Sequence, residues 1–100
     1  MYEIRQTPGF QKWLGHLPDR TAKARLIRRI ERLAHGHPGD TRNLGASLHE
    51  LREHFGPGYR IYFTYQAGRL VLLLASGDKS SQRADIARAR ALIERLETDR

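Results

Sequence analysis

Residues 50–63, ELREHFGPGYRIYF, set Arg52, His54, Arg60 and Tyr62 around a glycine–proline–glycine turn. A second segment, Gly77-Asp78-Lys79-Ser80-Ser81-Gln82, brings a carboxylate and a lysine to the end of a strongly apolar run. Guanidinium and ammonium groups bind phosphate oxygens. Beside groups able to move a proton, they are what a site for a phosphodiester needs.

Cutting RNA without a metal uses the ribose 2′-hydroxyl as nucleophile, so the protein must supply a base, an acid and cations. Arg52 and Arg60 are the candidates to hold the scissile phosphate and to neutralise charge growing on it, with Lys79 beside them. Glu50, Asp78, His49 and His54 are the candidates for proton transfer. His49 and Glu50 are neighbours on a predicted strand and point to opposite faces, whereas His54 lies where that strand enters the turn, within reach of the Arg52–Arg60 face. Tyr62 could donate a hydrogen bond, stack on an unpaired base or simply cover the sheet. Glu50, Tyr62, Asp78 and Gln82 complete the set as substrate-binding candidates, and Asp78 has a competing role as a helix cap. His35 and His37 flank Gly36 without further ligands nearby, so no metal and no cofactor is expected.

The elements that must position these residues can be read from the hydrophobic pattern. Residues 2–7 alternate as a short strand closed by Pro8-Gly9. Phe10, Trp13, Leu14 and Leu17 share one face of a short helix over 10–17. A second helix begins at Asp19 or Thr21 and ends before Gly36, with Leu26, Ile27, Ile30, Leu33 and Ala34 as its buried stripe. Lys23, Arg25, Arg28, Arg29 and Arg32 cover much of the rest, as a solvated face or as a surface for phosphates or a partner. Residues 35–47 read as a polar loop. Strands follow over about 48–53, 59–65 and 70–76, the last apolar on both sides and therefore central. In the middle one Ile61, Phe63 and Tyr65 point one way, while Arg60, Tyr62 and Thr64 point to a face expected to carry chemistry. A final helix starts near Ser80. The order β-α-α-β-β-β-α predicts a small α+β sandwich, a mainly antiparallel sheet with helices on one face.

One hundred residues hold one domain, here residues 1–100. Eighteen basic against eleven acidic residues give a net charge of +7, which favours nucleic acid, an anionic membrane or an acidic protein partner. Arginine far outnumbers lysine, and its planar fork shifts the balance toward RNA or DNA. With no cysteine, disulfides and thiolate metal sites are excluded. The longest apolar run, 70–75, is strand-sized, and the N-terminus lacks a charged-then-apolar signal pattern. No membrane partner and a cytoplasmic location are expected.

The segments ELREHFGPGYRIYF and GDKSSQ, followed by Asp85-Ile86 and a basic helix, resemble the RelE/ParE superfamily of bacterial toxins, and within it the HigB-like "addiction module killer" branch. The likeness spans nearly the whole chain. It implies a RelE-like fold and the toxin of a type II toxin–antitoxin pair, neutralised by an antitoxin from the same operon, often a helix-turn-helix protein. RelE-like and HigB-like members cut messenger RNA on the ribosome and so inhibit translation. On matching positions this implies Arg52 and Arg60 as phosphate-binding and catalytic, with His54, Tyr62 and Lys79 in support. The chain lacks the C-terminal tyrosine of some RelE members and the aspartate-tyrosine-histidine ending of certain HigB toxins. ParE-like relatives share the fold and inhibit DNA gyrase instead. An inactive relative would serve only to bind an antitoxin or nucleic acid.

Overall fold

A computed structural model describes residues 1–98. Its elements are β1 (Glu3–Gln6), α1 (Pro8–Gly15), α2 (Arg20–Ala34), β2 (Thr41–Gly45), β3 (Leu48–Glu53), β4 (Tyr59–Gln66), β5 (Leu70–Gly77) and α3 (Gln82–Thr98), with one 3₁₀ turn at Lys79–Ser81 leading into α3. The strands form a single sheet in the order β1-β5-β4-β3-β2. β1 runs parallel to β5, and every other pairing is antiparallel. The α+β class and the mainly antiparallel sheet agree with the sequence pattern.

Local chemistry explains the element ends. Thr7 caps α1 by accepting the Phe10 amide at 3.2 Å, with Pro8 at the first helical position, where a missing N–H costs nothing. Asp19 caps α2 by accepting the Ala22 amide at 3.1 Å, and Gly36 (φ 84°) takes the left-handed conformation just past its end.

Two expectations need correction. Residues 35–47 are not all loop, because Thr41–Gly45 forms β2 on the sheet edge, paired with β3. Only Thr41 and Leu44 of this strand are partly buried, so it carries no apolar alternation to announce it. The helices, moreover, do not share one face. Phe10, Leu14, Leu26, Ile30 and Leu33 of α1 and α2 meet Leu51, Ile61, Phe63, Val71 and Leu73 on one side of the sheet. Ala89 and Ile93 of α3 meet Leu48, Tyr62, Leu74 and Ala75 on the other. A strand as apolar on both sides as β5 needs cover on both. A register shift beside Tyr62 and Phe63 lets consecutive Leu74 and Ala75 join the α3 side.

Candidate functional site

The α3 side of the sheet carries two adjacent cross-strand rows. In one, Arg52 of β3 lies directly opposite Arg60 of β4, which lies opposite Gly77 of β5. In the next, Arg42, Glu50, Tyr62 and Ala75 follow one another across four strands. Residues opposite each other in antiparallel strands share a face, so Arg42, Arg52 and Arg60 all project to the side that α3 covers only in part.

The first row is anchored from the neighbouring loop. Asp40 Oδ1 accepts from Arg52 Nη2 at 2.8 Å and from its Nε at 3.3 Å, while Oδ2 lies 2.5 Å from His54 Nε2. These hydrogen bonds, the one from Arg52 foremost and that from His54 next, hold the Asp40 carboxyl below the usual carboxylate range. Asp40 is fixed in turn by Arg29 of α2, whose guanidinium donates to the carbonyls of Pro38, Asp40 and Arg52 and pairs with Glu53 at 3.1 Å. Arg29 is therefore a staple between α2 and the sheet rather than part of a solvated face.

Arg60 differs from expectation, being 7% exposed. Its Nη1 donates to the carbonyls of Gly58 and Tyr59 at 2.8 and 3.3 Å, and its Nε has no partner. The turn glycine makes this possible. A Cβ on Gly58 (φ 79°) would stand 3.1 Å from Arg60 Nη1 and 3.4 Å from Lys79 Cβ, so the 3₁₀ turn brings exposed Lys79 up beside Arg60. Arg52 and Arg60 are thus cross-strand neighbours beside the glycine–proline turn, with the start of the Lys79 side chain packed near Gly58 and His54 next to Arg52 through Asp40.

The second row is a covered polar layer. Glu50 is fully buried, accepts from Gln82 Nε2 at 2.7 Å and faces Arg42 Nε at 3.5 Å. Tyr62, expected on an open face, is fully buried beneath α3, so base stacking is not open to it in this arrangement; burial first and the neighbouring Glu50 carboxylate next push its phenol pKa upward. Asp78 caps the 3₁₀ turn, accepting from the Ser80 amide at 2.8 Å and the Ser80 hydroxyl at 2.5 Å, bonds that lower its pKa. Gln82 is spent on Glu50. His49 stacks on Phe63 with ring centroids 5.4 Å apart, on the face away from Glu50, and burial lowers its pKa.

Among the proton-transfer candidates, His54 is the one that is exposed, oriented by a carboxylate and next to a phosphate-binding arginine. Glu50 and Asp78 are engaged in holding the fold. Among the described residues no group of three or more histidine, aspartate or glutamate side chains is arranged to hold a metal ion. Asp40 and Arg42 were not singled out from the sequence, and Arg29 was read only as part of the basic face of α2. The signal for Asp40 was faint: an acid directly after Pro38-Gly39, in a segment without periodicity.

A five-stranded mixed sheet with helices on both sides and arginines at one end defines a small α+β fold. A family profile described as phage-derived protein, Gp49-like (DUF891), matches residues 12–97, and the chain belongs to that family. It is similar to an uncharacterized protein of Haemophilus influenzae, 43% identical over 94 residues that cover 94% of this chain and 95% of the relative. No solved structure matches the chain. Among the described residues no helix is long and apolar enough to cross a membrane.

Proposed function

We infer that the protein is the toxin of a type II toxin–antitoxin pair and acts in the cytoplasm as a metal-independent endoribonuclease on ribosome-bound messenger RNA. The family is one found in toxin–antitoxin modules. The observation that carries the nuclease reading is the cross-strand pair of Arg52 and Arg60, with His54 held beside Arg52 by Asp40 and Lys79 brought near Arg60 at Gly58.

In this reading Arg52 and Lys79 take the two non-bridging oxygens of the scissile phosphate. Arg60, nearly buried and fixed by the turn carbonyls, adds its positive charge from beneath to the charge that develops at phosphorus. His54 takes the proton from the 2′-hydroxyl as that oxygen attacks phosphorus, and the 5′-oxygen leaves with a proton from a second donor. Products are a 2′,3′-cyclic phosphate and a free 5′-hydroxyl. Asp40 keeps the imidazole turned toward the site, a positioning role. Exposed Arg42 widens the cationic surface along the RNA backbone.

The test is pulse labelling after induced expression in bacteria without the antitoxin. Protein synthesis falling before DNA synthesis supports the reading. Early loss of DNA synthesis with DNA breaks, and translation continuing, refutes it and points to gyrase.

A further inference from the structure

β5 has a bare edge. β1 accompanies it only as far as Leu73, after which Thr7 donates its amide to the Leu73 carbonyl at 3.0 Å and its hydroxyl to the Leu74 carbonyl at 2.8 Å. The chain then turns away into α1, and among the described residues no strand lies along residues 75–77 on that side. An open strand edge is a template for another chain unless something covers it.

Among the described residues no strand pairs with that stretch, and the gap is shaped. α1 and α3 stand on either side of the edge and leave a groove of about 790 Å³, with Trp13 and Leu17 on one wall and Ala91 and Leu92 on the other. The groove is chiefly apolar, and its polar features point one way. Lys12 and Arg95 stand at the rim, both exposed, and no carboxylate lines it. At the floor the Ser76 hydroxyl, in a residue 6% exposed, has no hydrogen-bond partner. A buried hydroxyl beside an open edge is left costly until a partner arrives.

We propose that this groove receives an extended segment of the antitoxin, which adds a strand to the free edge of β5, seats an apolar side chain between Trp13 and Leu92 and sets carboxylates against Lys12 and Arg95. The proposal rests on the toxin reading. Strand addition supplies backbone hydrogen bonds, and the pocket for one side chain supplies specificity. An acidic partner follows from a rim of cations without a carboxylate on a chain of net charge +7. A segment seated there lies across β5 from Arg60, so it leaves the Arg52–Arg60 row itself uncovered.

The test uses the purified full-length protein and the purified product of the adjoining reading frame, with binding followed by calorimetry. Ala91→Trp fills the groove from an exposed helical position, and Lys12→Glu with Arg95→Glu reverses the rim without filling it. Each is expected to weaken binding at least tenfold while circular dichroism and growth arrest without the partner stay unchanged. Hydrogen exchange on the wild-type complex is expected to protect those amides of residues 75–77 that point away from β4. Binding within twofold of wild type for both variants, with those amides unprotected, overturns the proposal. So does concentration-dependent self-association abolished by Ala91→Trp, which would make a second copy the occupant. Should the adjoining product fail to bind and induction leave growth unaffected, the toxin reading itself falls, and the groove proposal with it.

Discussion

Gly77 and Asp85 fit together only because residue 77 has no side chain. A Cβ there would come within 1.9 Å of Asp85 Oδ2 and 2.5 Å of Ser81 Oγ. The buried Asp85 carboxylate accepts from Ser81 Oγ at 2.6 Å and pairs with Arg88, and this polar group, internal to the 3₁₀ turn and α3, lies directly against Gly77 at the end of β5, opposite Arg60. The position of Lys79 depends on that contact.

Gly77→Ala is therefore expected to destabilise the fold by about 2–3 kcal/mol, since a methyl forced into a filled polar contact must push aside the buried Asp85 carboxylate and the Ser81 hydroxyl bonded to it. In a domain of this size Tm should fall by roughly 10 °C or more. A thermal melt checks this, and a shift of only a degree or two would show that α3 is not held there.

Arg60 and Lys79 should separate stability from activity. Arg60→Ala removes a nearly buried guanidinium that holds the Gly58 and Tyr59 carbonyls and is expected to cost about 1–3 kcal/mol. Lys79→Ala alters an exposed side chain and should stay within about 0.5 kcal/mol of wild type. Denaturant titrations of both variants decide the point. A neutral Arg60→Ala would contradict the turn geometry described above.

The Asp40 carboxylate predicts a pH dependence whose sign follows from its pKa. Its folded-state value lies below the ordinary 3.8, so ionised Asp40 favours the folded protein. That contribution is complete above about pH 4 and is lost as pH falls through the folded-state value. The Tm difference between wild type and Asp40→Asn should be largest near neutral pH and should close on acidification toward pH 2. A difference that stays constant over that range would mean Asp40 gains nothing from Arg52 and His54.

His54→Ala tests the proton-transfer role. The side chain is exposed, so stability should change by no more than about 0.5 kcal/mol. Loss of a general base should cost roughly 10²–10⁴-fold in cleavage rate. Asp40→Asn should cost less and leave the histidine in place but free to turn. Unchanged cleavage by His54→Ala would move the proton transfer to another group.

Much of the fold was legible where the apolar pattern is strong. The strands 48–53, 59–65 and 70–76 lie within a residue or so of β3, β4 and β5, because Ile61, Phe63 and Tyr65 alternate in the second, 70–75 is an unbroken strand-length apolar run, and glycine-containing turns bound them. The pairing of Arg52 with Arg60 was legible too, since a short turn between two strands sets their register. The edge strand β2 was not legible, as its polar residues face solvent. The burial of Arg60, Glu50 and Tyr62 was hidden for another reason. Each polar group is buried against partners far away in sequence: Glu50 needs Gln82 from α3, and Arg60 is enclosed where the turn at Gly58 meets Lys79. Alternation says which residues share a face, but it does not say whether a helix later covers that face.

Whether the Arg52–Arg60 end of the sheet cuts messenger RNA is decided by mapping 5′ ends on abundant messages before and after induction of the wild-type protein, Arg52→Ala and Lys79→Ala, with the antitoxin absent. New ends bearing 5′-hydroxyls inside coding regions are expected for the wild type, reduced by about 10²-fold or more in both variants, which remain folded. Growth arrest with intact messages, or the same cuts in wild type and both variants, would contradict the nuclease reading.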